Sequence, residues 1–90
     1  MSTAPEDRNA NHTIHRIPLL RREFTKAVGN RIRYLRQKKG LSQEALADEA
    51  GMHRTYMWGI ERGHRNPSLG HLTRIADALE VPLASLFEGV

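Results

Sequence analysis

The sequence predicts an all-α domain of five short helices that follows a flexible N-terminal arm. Apolar residues recur at three- or four-residue spacing from position 24 onward, and glycines and capping residues divide this pattern into short segments. No segment shows the strict alternation of apolar and polar residues that is typical of a β-strand. Ninety residues suffice for one small domain. We therefore expect an arm at 1–22 and a compact domain at 23–90.

The first helix is predicted where the arm ends. An apolar stripe runs through otherwise basic residues at helical spacing: Phe24, Val28, Ile32 and Leu35. Gly40 is expected to end this helix, because glycine adopts the left-handed conformation of a helix C-terminus at little steric cost. The preceding residues lack any sustained period, and Pro5 with several asparagines indicates disorder.

Two further helices are predicted to meet at Gly51. Ser42 is a candidate N-cap for the second helix, in which Leu46 and Ala50 face inward. The stretch "GMH" is too short for anything but a sharp change of direction before a third helix at about 53–62. In that helix Met57 and Ile60 can face the core.

The last two helices follow a loop, "RNPS". Ser68 is expected to cap the fourth, whose apolar face holds Leu69, Leu72, Ile75, Ala76 and Leu79. Pro82 suits the first turn of a short fifth helix, "PLASLFEG". Phe87 is expected in the core. This end of the chain has more apolar residues than a small domain can bury, so we expect a homodimer surface at Val81, Leu83 and Leu86.

Composition and charge narrow the function. Residues 21–40 hold eight basic side chains against Glu23 alone, a net +7, which favours a polyanionic partner; a solvated helix face is the alternative. The chain has no cysteine and no apolar run near the roughly 20 residues of a membrane span. The stretch "MSTAPEDRNANH" lacks the apolar core of a signal peptide, so we do not expect it to act as one. We expect a cytoplasmic protein with no membrane association.

A twenty-residue window from Gln43 to Arg62 has the spacing of a helix–turn–helix. Two helices that cross at about 90–120° need a small residue where they meet, which Ala47 supplies. The turn between them needs a positive φ, which suits Gly51.

The segments "LRQKKGLSQEALADEAG", "GIERGHRNPSL" and "LTRIADALEVPLASLF" resemble the helix–turn–helix DNA-binding domains of the phage repressor and Cro type. The stretch "RTYMWGIERGHRN" is also similar to the controller proteins of restriction–modification systems. One departure is Met57, where the family mostly has a β-branched residue. The resemblance implies a lambda-repressor-like fold, double-stranded DNA as the partner, and a third helix that enters the major groove.

The resemblance also implies which residues meet DNA. We expect base contacts from the first turn of the third helix, at Arg54, Thr55 and Tyr56. Phosphate contacts are expected from Gln43, Arg62, Arg65, Asn66 and Trp58. For Trp58, packing against the arm or a partner is an equal alternative.

An arginine–glutamate pair that bridges the first and third helices is likewise implied by the family, here at Arg36 and Glu61. We expect this ion pair to be partly buried and structural.

The sequence shows neither a nucleophile paired with a base nor a phosphate-binding glycine loop, so we do not expect an enzyme. His12 and His15 are three residues apart, but without further ligands they do not indicate a metal site, and no cofactor or small-molecule substrate is expected. We predict a transcriptional regulator that binds a (pseudo)palindromic operator as a dimer. The alternative is an antitoxin-like or other protein-interaction module on the same fold.

Overall fold

The computed structural model describes residues 22–90, which form helices joined by short turns and loops and contain no strand over that range. Helix α1 is described at 22–39, and it is followed by α2 (Gln43–Glu49), α3 (Arg54–Glu61), α4 (Leu69–Leu79) and a 3₁₀-helix (Leu83–Phe87). The all-α prediction is confirmed. The predicted arm lies outside the described residues, apart from Arg22, which is already helical.

The fifth predicted helix is a 3₁₀-helix rather than an α-helix. It is five residues long, and its hydrogen bonds join residues three apart, as in the 2.9 Å bond from the Ser85 amide to the Pro82 carbonyl. The 3₁₀ geometry is the usual form of so short a segment.

Side chains cap three of the helices. As predicted, the Ser42 hydroxyl accepts a hydrogen bond from the Ala45 amide at 3.0 Å, and Ser68 caps α4. His53 lies outside α3 and caps it, since its Nδ1 accepts from the Thr55 amide at 3.1 Å. The caps satisfy amides that a helix leaves without an internal partner, so they fix where α2, α3 and α4 begin.

The turn between α2 and α3 has the geometry expected from its sequence. Gly51 has a φ of 67°, in the left-handed region that favours glycine. The Met52 amide donates to the Ala47 carbonyl at 2.8 Å, which closes the end of α2. Ala47 itself is buried, as a small residue at a helix crossing must be. These contacts set the direction in which α3 leaves α2.

The core contains residues from every helix. The largest fully buried side chains are Ile32, Leu46, Met57, Ile60, Ile75 and Leu86. Leu86 was expected at the dimer surface, which is wrong: the 3₁₀-helix packs against α4 and places Leu86 inside the domain. Val81 and Leu83 are only partly buried at the edge of this core.

The two phenylalanines lie at the margin of the core. Phe24 was expected to continue the inward stripe of α1, but it is 52% exposed. Its ring stacks on that of Phe87 at 6.1 Å between centroids, and Phe87 is itself only partly buried. The inward stripe of α1 therefore consists of Val28 and Ile32, with Leu35 partly buried beside them.

Helices α1 and α3 cross at Gly29. A Cβ atom at this position would lie 2.3 Å from the carbonyl oxygen of Ile60 and 2.9 Å from that of Glu61. Only glycine allows the two backbones to approach so closely. This close crossing brings the basic helix α1 alongside α3.

Two ion pairs connect the first helix to the C-terminal part of the chain. Arg31 donates to the Ser85 carbonyl at 2.7 Å and to Glu88 at 2.6 Å. Lys39 donates to Glu80 at 2.7 Å, and this hydrogen bond, together with the lysine charge, lowers the pKa of the Glu80 carboxyl. Between residues 22 and 90, no helix has the length and apolar character needed to cross a bilayer.

Candidate nucleic-acid interface

Helix α3 has one side in the core and one side in solvent. Met57, Ile60 and Glu61 are buried, whereas Arg54, Thr55 and Trp58 are exposed. The buried side chains anchor the helix against α1 and the rest of the core, so the exposed side is presented on a fixed support. A helix about 10–12 Å wide with its side chains matches the width of the major groove of B-DNA.

The two residues expected to read bases project outward from the first turn of α3. Arg54 is exposed, and its Nη1 lies 3.3 Å from Oε2 of Glu44, an equally exposed residue on α2. Thr55 is exposed as well, and its amide is already bonded to His53. The guanidinium and the hydroxyl are therefore accessible to a partner that approaches the first turn.

Tyr56 turns toward α4 instead. Its ring meets that of His71 edge to face at 5.0 Å, and its hydroxyl lies 3.4 Å from His71 Nδ1. The two residues, together with Arg74, line a surface hollow of about 390 Å³. Tyr56 is partly buried and lies at the flank of the exposed side of α3, not at its centre.

The Arg36 and Glu61 side chains form the pair that the family resemblance implies. Arg36 Nε donates to Glu61 Oε2 at 2.6 Å and Nη2 donates to Oε1 at 3.0 Å, while Nη1 donates to the Leu41 carbonyl at 2.9 Å. Both side chains are almost fully buried. Two parallel hydrogen bonds between ions give this contact a fixed geometry, so it holds α1 against α3.

Gln43 joins the same cluster. Its Nε2 donates to Glu61 Oε1 at 3.0 Å, so the side chain expected at phosphate also ties α2 to α3. Gln43 is partly exposed, and its side-chain oxygen, Oε1, has no partner among the described hydrogen bonds. The glutamine thus contacts the core cluster on one side and borders solvent on the other.

A polar groove of about 290 Å³ lies between α1 and α3, beside this cluster. Its lining residues are Arg33, Arg36, Gln43, Trp58, Glu61 and Arg62. Arg33 is exposed and was not among the predicted site residues. The signal for it was its position three residues before Arg36, which places both on one side of α1. The groove brings the positively charged side chains of Arg33 and Arg62 together next to the exposed side of α3.

The loop after α3 folds back onto that helix. The amides of His64 and Arg65 both donate to the Gly59 carbonyl, at 2.8 and 3.2 Å. The aliphatic part of Arg65 lies over Gly59, where a Cβ atom would come within 2.6 Å of the Arg65 Cγ. Arg65 and Asn66 are exposed and border a second cleft of about 190 Å³ with Arg22. The loop therefore holds the charged Arg65 side chain at a defined place beside α3.

Over the described range no group of three or more histidine or acidic residues is arranged to hold a metal ion. His12 and His15 lie outside that range.

The small-residue crossing, the three-residue turn and the polar exposed side of α3 together define a helix–turn–helix domain. The chain belongs to the helix-turn-helix family, whose model matches residues 32–86.

Comparison with individual proteins supports the same family. The chain is 44% identical over 61 residues to control protein C.BamHI from Bacillus amyloliquefaciens, a match that covers 67% of this chain and 75% of that protein. It is also 44% identical over 62 residues to the HTH-type transcriptional regulator SlrR from Bacillus subtilis (strain 168). That match covers 68% of this chain but only 41% of SlrR, so SlrR extends well beyond the shared domain.

Among solved structures, the restriction-modification controller protein C.AhdI from Aeromonas hydrophila superposes with a TM-score of 0.69 at 46% sequence identity. The superposition covers 70% of this chain and 96% of C.AhdI. The helix arrangement described above is thus shared with a controller protein along nearly its whole length.

Proposed function

We propose that this protein is a sequence-specific DNA-binding transcriptional regulator that reads the major groove with α3. The observation that carries the proposal is the first turn of α3, where Arg54 and Thr55 face solvent on a helix whose other side is fixed in the core. Relatives with at least two fifths identity are transcriptional regulators and control proteins. No reaction is required of the chain in this role.

Arg54 and Thr55 have the chemistry for base recognition. A guanidinium can donate two parallel hydrogen bonds to O6 and N7 of guanine, and a threonine offers both a hydroxyl and a methyl group to a base edge. One well-placed bidentate pair gives about 1–3 kcal/mol of discrimination against the wrong base. Tyr56, held at the flank by His71, is assigned to an outer base or its adjoining phosphate.

Phosphate contacts are assigned to the polar residues on either side of α3. Gln43 and Arg62 border the groove between α1 and α3, and Arg65 and Asn66 lie in the loop beyond it. Arg33 is added to this set because it lines the same groove as Gln43. Contacts of this kind position the protein and carry no sequence information.

A single recognition helix reads only a few base pairs, so we propose a homodimer on a (pseudo)palindromic operator with half-sites about one helical turn apart. Val81 and Leu83, which are partly buried at the edge of the subunit, support a two-fold contact at the C-terminal end. Leu86 is excluded from that surface because it is fully buried.

The proposal is tested by selecting duplexes from a random pool and measuring binding of two arginine variants to the selected sequence. Arg54→Ala should lose about ten- to hundredfold of its preference at one base pair while it retains non-specific affinity. Arg65→Ala should weaken binding to every duplex alike and reduce the salt dependence by about one counterion.

Each variant serves as the control for the other, since both remove one exposed arginine from the same surface. If the pool yields no preferred sequence and all duplexes bind equally weakly, the proposal is wrong. That result would favour the alternative, a protein-interaction module of the antitoxin kind.

A further inference from the structure

Trp58 lies at the centre of the exposed side of α3. It is the only tryptophan in the chain, and 44% of its surface is open to solvent. It follows Arg54 by four residues and precedes Arg62 by four, so the three side chains are stacked one turn apart along one line of the helix. A large apolar ring therefore lies between two arginine side chains on the surface that faces the proposed ligand.

The indole is held in place before any ligand arrives. The guanidinium carbon of Arg62 lies 5.1 Å from the centre of the Trp58 ring, within the range of a cation–π contact. The ring of His64 meets the indole nearly perpendicularly, at 5.7 Å and 76°. Because its neighbours already restrict the ring, little further side-chain entropy is lost when the indole contacts a partner.

The position of Trp58 distinguishes a base contact from a phosphate contact. Phosphates flank a helix that lies in the major groove, and the flanks of α3 are occupied on one side by Gln43, which borders the same groove as Trp58, and on the other side by Arg65. The middle of the exposed side faces the base edges. There, the apolar group that a ring can contact is the C5-methyl of a pyrimidine.

We propose that Trp58 contacts a pyrimidine C5-methyl group in the major groove and makes binding depend on that methyl. This inference rests on the DNA-binding function proposed above. Thymine and 5-methylcytosine present the same methyl at the same place on the base edge, so the contact accepts either. Trp58, first grouped with the phosphate contacts, thereby becomes a determinant of specificity.

The test uses the duplex that the wild-type protein selects from a random pool, with each thymine replaced singly by uracil. Uracil lacks only the C5-methyl group. At one or two positions the wild type should bind the uracil duplex about fourfold more weakly, which is the effect of losing one buried methyl. Trp58→Ala should bind the thymine and uracil duplexes equally at those positions, and Trp58→Phe should retain part of the difference.

Tyr34→Ala is the matched control. Tyr34 is another exposed aromatic residue that lies beside cations, but on α1. This variant should keep the full fourfold effect of uracil. Single replacements of cytosine by 5-methylcytosine then separate the two sources of the methyl. Binding that tightens for the wild type but not for Trp58→Ala assigns the contact to methylated cytosine; an effect at uracil alone assigns it to thymine.

A photochemical experiment locates the contact directly. 5-Bromouracil at the sensitive position should cross-link to Trp58 on irradiation, with the adduct mapped by mass spectrometry. The inference fails if uracil weakens the wild type and Trp58→Ala equally, or if Trp58→Ala loses affinity uniformly on all duplexes, which marks a phosphate contact. Both leave the DNA-binding function intact. A pool with no preferred sequence overturns the proposed function and this inference together.

Discussion

Two arginine–glutamate pairs on neighbouring helices differ in every respect except their chemistry. Arg36 and Glu61 are 11% and 2% exposed at the side chain and approach to 2.6 Å with two parallel hydrogen bonds. Arg54 and Glu44 are 63% and 66% exposed, and their closest atoms are 3.3 Å apart. The first pair joins α1 to α3, and the second spans α2 and the first turn of α3.

Burial gives the two pairs opposite roles. Ions removed from water cannot separate without leaving an uncompensated charge in a medium that solvates it poorly, so the Arg36–Glu61 contact is effectively permanent. An exposed pair retains much of its hydration, is screened by salt and contributes about 0–1 kcal/mol. Arg54 can therefore exchange Glu44 for a base edge at little loss. Under the proposed function, the same residue types stabilise the fold at one site and recognise DNA at the other.

The largest effect is expected from Glu61→Gln, which keeps the shape of the side chain and removes its charge. Arg36 would remain buried without a counterion, although its hydrogen bond to the Leu41 carbonyl would persist. We expect the free energy of unfolding to fall by about 3 kcal/mol, measured by urea denaturation.

The matched control is Glu44→Gln, the same substitution in the exposed pair. Its effect on the free energy of unfolding should stay below about 1 kcal/mol. Equal effects of the two substitutions would show that burial does not separate the two pairs.

A smaller loss is expected from Gly29→Ala. The added methyl would meet the Ile60 carbonyl at 2.3 Å, so α1 would have to move away from α3. This strain outweighs the better helix propensity of alanine, and we expect a loss of about 2 kcal/mol in the same denaturation measurement. Because the displacement also stretches the Arg36–Glu61 contact, Gly29→Ala combined with Glu61→Gln should cost less than the two separate losses together.

Gly70→Ala is the control for this prediction. At that position in α4 a Cβ atom would meet only the Ser68 hydroxyl at 3.7 Å, an ordinary contact. The substitution should be neutral or stabilise the protein by up to about 1 kcal/mol. A neutral Gly29→Ala would contradict the close crossing.

Much of the fold could be predicted because its signals are local. Ser42, Ser68 and Gly51 act on backbone within a few residues of themselves, and the helices begin and turn where those residues stand. Leu86 could not be placed, because a five-residue segment fits either a period of 3 or one of 3.6. Gly29 looked unremarkable for the opposite reason: its partner, Ile60, is 31 residues away in the chain.

The candidate site likewise has some features that local sequence predicts and others that depend on residues distant in the chain. The outward positions of Arg54 and Thr55 follow from helical periodicity once Met57 faces the core. Tyr56 lies on the same turn, but its direction is set by His71 on another helix. The hydrogen bond from Gln43 to Glu61 likewise depends on where α3 places that carboxylate, and the spacing of residues along α2 contains no information about it.

The smallest effect is expected from the exposed pair when DNA binding, not stability, is measured. Glu44→Gln removes a carboxylate that competes with DNA for Arg54, and it also removes a negative charge that repels phosphate. We expect affinity for the selected duplex to rise about twofold to threefold at low salt, equivalent to roughly 0.5 kcal/mol, with the gain shrinking as salt screens the pair.

Glu49→Gln is the control: it removes the same charge from α2, and Glu49 forms no ion pair within the described range. If the two variants gain equally, simple repulsion accounts for the effect and Glu44 does not restrain Arg54. If only Glu44→Gln gains, and its preference at the Arg54 base pair rises as well, then the exposed pair is a contact that DNA displaces, which the buried pair cannot be.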